Sequence, residues 1–174
     1  SKGYDFDLLV KSSPKLEEFV FTNSFGNVTI DFANPKAVKL LNTALLKVHY
    51  GIDYWEFSDA NLCPPIPGRV EYIHLLNALL KRSEVKENVT VLDIGAGATC
   101  IYPLLGQAEY GWNFIATEID SQAMRSAEKI VAKNKLSKSI KLRYQDNEQN
   151  ILTGILKSKE RVSAAMCNPP FYKD

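Results

Sequence analysis

The chain has 174 residues, 45% of them hydrophobic, and a formal net charge of +1 at neutral pH. Those values fit one large globular domain, or a domain with an extension, and a charge so near zero neither demands nor excludes a nucleic-acid partner. No apolar run reaches the ~18 residues of a membrane span, and no basic-then-apolar leader opens the chain, so no membrane partner is expected.

In chain order, the first clear element is a helix announced by Asn34-Pro35, with asparagine as N-cap and proline at the first helical position. Ala37, Val38, Leu41, Ala44, Leu45 and Val48 follow at helical spacing, and Gly51 is placed to end the helix. The stretch 62–69, LCPPIPGR, holds three prolines and a glycine and reads as a stiff, shaped loop. A second helix is predicted over 70–82, with Tyr72, Ile73, Leu76, Leu79 and Leu80 apolar. The pattern changes near 86/87. Strands are predicted at 89–94, 113–117, 140–144 and 162–167, and helices from about 100, over 121–134 and over 151–156. Alternating strands and helices mean right-handed βαβ units and a parallel sheet, whose ligands sit at the carboxyl ends of the strands.

Cys63, Cys100 and Cys167 are odd in number and far apart, which argues against a disulfide framework and for a reducing, cytoplasmic setting. No CxxC occurs, and His49 and His74 have no ligand-spaced neighbours, so no metal site is expected.

Two motifs lie at strand ends. The first is VLDIGAGAT, 91–99. Gly95 and Gly97 allow a tight turn and close approach of a ligand. A dinucleotide fingerprint would need glycine at 100, where Cys100 stands. An acid before the glycines fits S-adenosylmethionine instead, which has no phosphate: Asp93 would compensate its ammonium. Glu118, at the end of the next strand, would take both ribose hydroxyls. The alternative is that Gly95 and Gly97 only make a turn and Glu118 is a solvated loop acid.

The second motif is Asn168-Pro169-Pro170-Phe171, after the fourth strand. Methyl transfer to a planar NH2 needs a nitrogen whose delocalised lone pair is turned toward the methyl carbon. Two acceptors aimed at its N–H bonds do this: the Asn168 side-chain oxygen and the Pro169 carbonyl. The prolines stiffen that geometry, and Phe171 offers a stacking face for a flipped-out base. The alternative is a proline-rich strand exit with a core phenylalanine. Lys129, Lys133, Lys135, Lys138, Lys141 and Arg143 form a basic run that reads first as a solvated face.

DIGAG together with NPPF resembles the class I S-adenosylmethionine-dependent amino-methyltransferases. IDFANPKAVKLLNTALLKVHYGI, LCPPIPGRVEYIH, VLDIGAGATCIYPLLG and EYGWNFIATEID resemble, more narrowly, the RlmF family of 23S rRNA adenine-N6 methyltransferases and a related human small nuclear RNA methyltransferase. The resemblance implies an α/β, Rossmann-like methyltransferase fold over 87–174, behind a mostly helical N-terminal extension, 1–86, that faces RNA. It implies seven strands where four are read, so the sheet is expected to continue beyond this chain. The implied substrate is 23S rRNA or a ribosomal precursor particle. Protein glutamine or rRNA guanine-N2 methylation, or a non-catalytic RNA-binding subunit, are the competing readings. Implied cofactor residues are Asp93, Gly95, Gly97 and Thr99 in the loop, Glu118 for the ribose, Arg69 for the carboxylate, Gln149 near the adenine, and Asn168; Asn168, Pro169 and Phe171 are implied for the target base.

Overall fold

The computed structural model describes residues 3–85, 87–145 and 161–167. Helix α1 (Phe6–Ser12) is capped by Asp5, whose carboxylate accepts from Leu8 N–H at 3.1 Å. A 3-10 helix (Pro14–Phe19) leads into a hairpin of β1 (Val20–Thr22) and β2 (Val28–Ile30), with Val20 opposite Ile30. None of these pieces is predicted from the sequence. Each is shorter than the window over which apolar periodicity shows itself.

Helix α2 (Pro35–Tyr50) begins and ends as predicted. Asn34 Oδ1 accepts from Lys36 N–H at 3.0 Å, and Gly51 closes the helix at φ 67°. Helix α3 (Ile66–Arg82) does not match its expected start at 70. It begins inside the proline-rich stretch, because Pro65 is its N-cap and Pro67 falls in the first turn, where a missing N–H costs nothing. The Ile66 N–H, otherwise orphaned, is satisfied across the fold by Asn42 Oδ1 of α2 at 3.0 Å. Arg69, expected in a loop, therefore stands in the first turn of α3, and its N–H bonds to the Pro65 carbonyl at 3.3 Å.

The remaining described elements are β3 (Thr90–Ile94), α4 (Ile101–Tyr110), β4 (Asn113–Glu118), α5 (Ser121–Lys133), β5 (Ile140–Tyr144) and β6 (Ala164–Cys167). They follow the predicted order, with ends shifted by two residues or fewer where both bounds were set. The helix expected at 151–156 lies outside the described residues. The four strands form one parallel sheet in the order β5-β4-β3-β6. The chain runs outward from β3 through β4 to β5, and β6 then pairs on β3's other side. That reversal makes the carboxyl ends of β3 and β6 the switch point where ligands of such sheets bind.

The apolar core is continuous between the N-terminal elements and the sheet: Leu46, Trp55, Ile73, Leu104, Leu105 and Phe114 are all fully buried in one cluster. A strap without regular secondary structure, 51–57, follows α2 on the way to α3. Asn134, at the end of α5, accepts from Asp53 and Tyr54 N–H at 2.9 and 3.2 Å and donates to the Tyr54 carbonyl at 2.7 Å. Lys129 and Lys133 lie 5.7 and 5.4 Å from the Tyr54 ring centroid, so these two residues of the basic run border the strap. Among the described residues no helix is long and apolar enough to cross a membrane.

Candidate functional site

The loop between β3 and α4 starts from a buried acid. Asp93 is the penultimate residue of β3 and has no exposed surface. Gly95 and Gly97 follow at φ 83° and 73°, a region costly for residues with a Cβ. Among the described residues nothing stands within 4 Å of where a Cβ on Gly97 would sit, so Gly97 presents bare backbone there. Cys100, the N-cap of α4, also adopts the left-handed region, at φ 52°. A dinucleotide loop would have glycine there; here the turn is kept with a buried thiol. Burial pushes that thiol's pKa up, and the neighbouring Asp93 charge pushes the same way.

The loop is fastened from three sides. Gly95 and Ala96 N–H donate to the Thr117 carbonyl at the end of β4, at 3.0 and 2.8 Å. Ser126 of α5 donates to the Ala98 carbonyl at 2.7 Å. Trp55 of the strap donates its indole N–H to the Thr99 carbonyl at 2.8 Å, with the bond fully buried. Thr99 thus contributes its backbone to loop positioning. Trp55 and Ser126 were missed by the sequence reading, because such bonds join positions 44 and 28 residues apart and leave no local pattern.

Glu118 ends β4 and is not a solvated loop acid: it is 8% exposed. Its Oε1 accepts from Gly97 N–H at 2.9 Å, and its Oε2 from Ile119 and Asp120 N–H at 2.8 and 2.9 Å. A carboxylate has about four acceptor positions. Three are filled, and Oε1 retains one for a ligand. A grip by both oxygens on two hydroxyls would require Oε2 to release a backbone donor. Asp120, next in line, is the N-cap of α5, with its carboxylate accepting from Gln122 N–H at 2.8 Å.

Arg69 reaches toward the same end of the sheet from α3. Its Nη1 donates to the Tyr102 hydroxyl at 3.3 Å, and its guanidinium carbon stands 5.7 Å from the Tyr102 ring centroid. Tyr72, one turn along α3, packs its ring 5.1 Å from that of Tyr102. Burial first, then the charges of Tyr102 and Asp93, raise the Tyr72 pKa, so this aromatic pair lies within the field of the buried acid. The structure therefore gathers Arg69, Asp93, the loop and Glu118 around the carboxyl end of β3. Cys167 is paired with Ile94 in the β3–β6 register, beside the start of the loop. Gln149, Asn168, Pro169 and Phe171 lie outside the described residues.

Fit to S-adenosylmethionine rests on this donor set. Its elements are a buried acid, the bare backbone of Gly97, a carboxylate oxygen with a remaining lone pair and a half-buried guanidinium, and they match a zwitterionic nucleoside without phosphates.

The model of one RNA methyltransferase family matches residues 1–174. A "Ribosomal RNA large subunit methyltransferase F" of Pseudomonas syringae pv. syringae is 50% identical over 97% of this chain and 53% of its own length. Among solved structures, the N-terminal domain of human METTL16 in complex with SAH superposes with a TM-score of 0.85 at 36% identity, over 98% of this chain and 66% of that one. The hMettl16 catalytic domain in complex with the MAT2A 3′UTR hairpin 1 gives a TM-score of 0.85 at 35% identity, over 99% of this chain and 57% of that one. The chain spans about half the length of the curated relatives it matches.

Proposed function

The chain belongs to this RNA methyltransferase family, that of the large-subunit rRNA methyltransferase F proteins, and from that premise we propose that the protein it represents methylates the N6 amino group of an adenine in 23S rRNA. The observation that carries the reading is the strand order: Cys167, which leads directly into Asn168-Pro169-Pro170-Phe171, is in register with Ile94 at the mouth of the loop. The cofactor loop and the strand whose sequence continues into NPPF thus end side by side at the switch point.

S-adenosylmethionine supplies an electrophilic methyl group on a sulfonium. The protein's own residues bind and orient. Asp93 balances the ammonium, Arg69 pairs with the carboxylate, and the loop backbone from Gly95 to Thr99 receives the methionine part. Glu118 Oε1 accepts from a ribose hydroxyl. Gln149 is assigned to the cofactor adenine. The Asn168 side-chain oxygen and the Pro169 carbonyl accept hydrogen bonds from the two N–H groups of the target amine. That directs its lone pair at the methyl carbon, and the proton becomes acidic only as the new N–C bond forms. Phe171 stacks on the extruded base.

Residues 1–86 are assigned to RNA contact. Support comes from three exposed rings in and beside the hairpin, Phe21, Phe25 and Phe32, with Phe25 86% exposed. Relatives whose names specify rRNA favour this reading over a protein glutamine substrate.

The deciding experiment is nucleoside mass spectrometry of rRNA from cells lacking the protein, complemented with wild type or with Asn168→Ala in the full-length chain. N6-methyladenine should vanish from one 23S position and return only with wild type. Unchanged rRNA, with label from the cofactor appearing in protein, would sink the proposal.

A further inference from the structure

Arg69 is the one residue of the cofactor set on the N-terminal part of the chain, and no ion pair with a described residue sets its orientation. Among the described residues no carboxylate lies within 4.0 Å of its guanidinium. An arginine side chain has several free torsions, and a half-buried one without a partner samples many of them. Something else must hold it if it is to meet a ligand's carboxylate in a fixed geometry.

We infer that Tyr102 is a positioning residue for Arg69: its hydroxyl and ring fix the guanidinium so that the remaining N–H groups face the cofactor carboxylate. The inference rests on the assignment of Arg69 to that carboxylate. The contact has two parts, the 3.3 Å bond from Nη1 and the 5.7 Å approach to the ring centroid. A guanidinium carries five N–H donors, so the bond to one hydroxyl leaves a fork for a carboxylate. Tyr102 itself is immobilised. It is only 8% exposed, stands in the first turn of α4 just after Cys100, and packs against Tyr72. Arg69 and Tyr72 are three residues apart on α3 and so share a face. Both touch Tyr102, which links the first turn of α4, at the loop's exit, to the arginine. No residue here touches the methyl group; the role is orientation of a binding group.

The test uses two ligands that differ at the relevant end. S-adenosylhomocysteine carries the carboxylate, whereas 5′-methylthioadenosine lacks it. Calorimetric titration of the full-length protein should show Tyr102→Phe binding S-adenosylhomocysteine three- to tenfold more weakly, with 5′-methylthioadenosine changed less than twofold. Arg69→Ala should weaken S-adenosylhomocysteine by more, again sparing 5′-methylthioadenosine, and adding Tyr102→Phe to it should have no further effect. Equal losses for both ligands in Tyr102→Phe would make Tyr102 a packing residue and overturn the inference. An unchanged Tyr102→Phe alongside an impaired Arg69→Ala would overturn the inference alone. An unaffected Arg69→Ala would overturn the Arg69 assignment and the inference with it. Should Tyr102→Phe fail to fold, Arg69→Lys tests the same contact, since lysine keeps the charge without the planar stack. It should lose S-adenosylhomocysteine affinity selectively, and wild-type affinity there would refute the role of the ring.

Discussion

Replacing Glu118 with glutamine separates its two duties. In the structure the carboxylate accepts three backbone N–H bonds, from Gly97, Ile119 and Asp120, while 8% exposed. A glutamine has one acceptor oxygen and one NH2 group. If the oxygen serves Ile119 and Asp120, the NH2 faces the Gly97 N–H, donor against donor. If it serves Gly97, two backbone donors are left facing the amide. Either way at least one charge-assisted bond is lost and one donor left unpaired, costing about 1.5–3 kcal/mol. For a domain of this size that is a fall of about 3–12 °C in Tm. The bond lost in the cheaper arrangement is the one that ties Gly97, so the cofactor loop loosens along with it. Thermal melting and calorimetry with S-adenosylhomocysteine on the full-length protein measure the two effects together. A Glu118→Gln protein that melts at the wild-type temperature would refute the bracing role. One that melts lower yet binds with wild-type affinity would confine Glu118 to stability and remove it from the ribose site.

Trp55→Phe keeps most of the buried ring but leaves the Thr99 carbonyl without its indole donor, so denaturant unfolding should show a loss of about 1–3 kcal/mol, accompanied by weaker cofactor binding. Gly106→Ala should destabilise by about 1–3 kcal/mol through overpacking, because a Cβ there would press on Phe114 Cζ and stand 2.7 Å from Phe114 Cε2; a melt equal to wild type would show that the ring can yield. Burial raises the Cys63 thiol to about 11, opposed by Lys39 and the Asn42 hydrogen bond. The folded state thus holds this proton longer than the unfolded one, so the contribution is full below about 9 and is lost as pH rises toward 11. Cys63→Ser or Ala should flatten that part of the stability–pH curve, and an unaltered curve would count against it.

Much of the fold was legible because it rests on local chemistry. Asn34-Pro35 and Gly51 define α2 through a cap, a fixed φ and a left-handed closure, all encoded within a few residues. The β-branched run ending in DIGAG and the short apolar run before NPPF marked strands, and the pairing of those motifs pointed to the cofactor. Short elements escaped: α1, the 3-10 helix and the hairpin span too few residues for a periodic signal. Tertiary contacts decided the rest. The start of α3 at Ile66, inside a proline-rich stretch read as a loop, depends on Asn42, 24 residues earlier, accepting from an otherwise orphaned N–H. Glu118 became a buried brace because β4 runs beside β3 and brings its end under Gly97. The hold of Trp55 on Thr99, and of Tyr102 on Arg69, arose from the strap meeting the β3–α4 loop and α3 meeting α4. A sequence states which residues can donate, accept or stack. Which of them meet is set by packing, since the satisfaction of buried polar groups is negotiated between segments far apart in the chain.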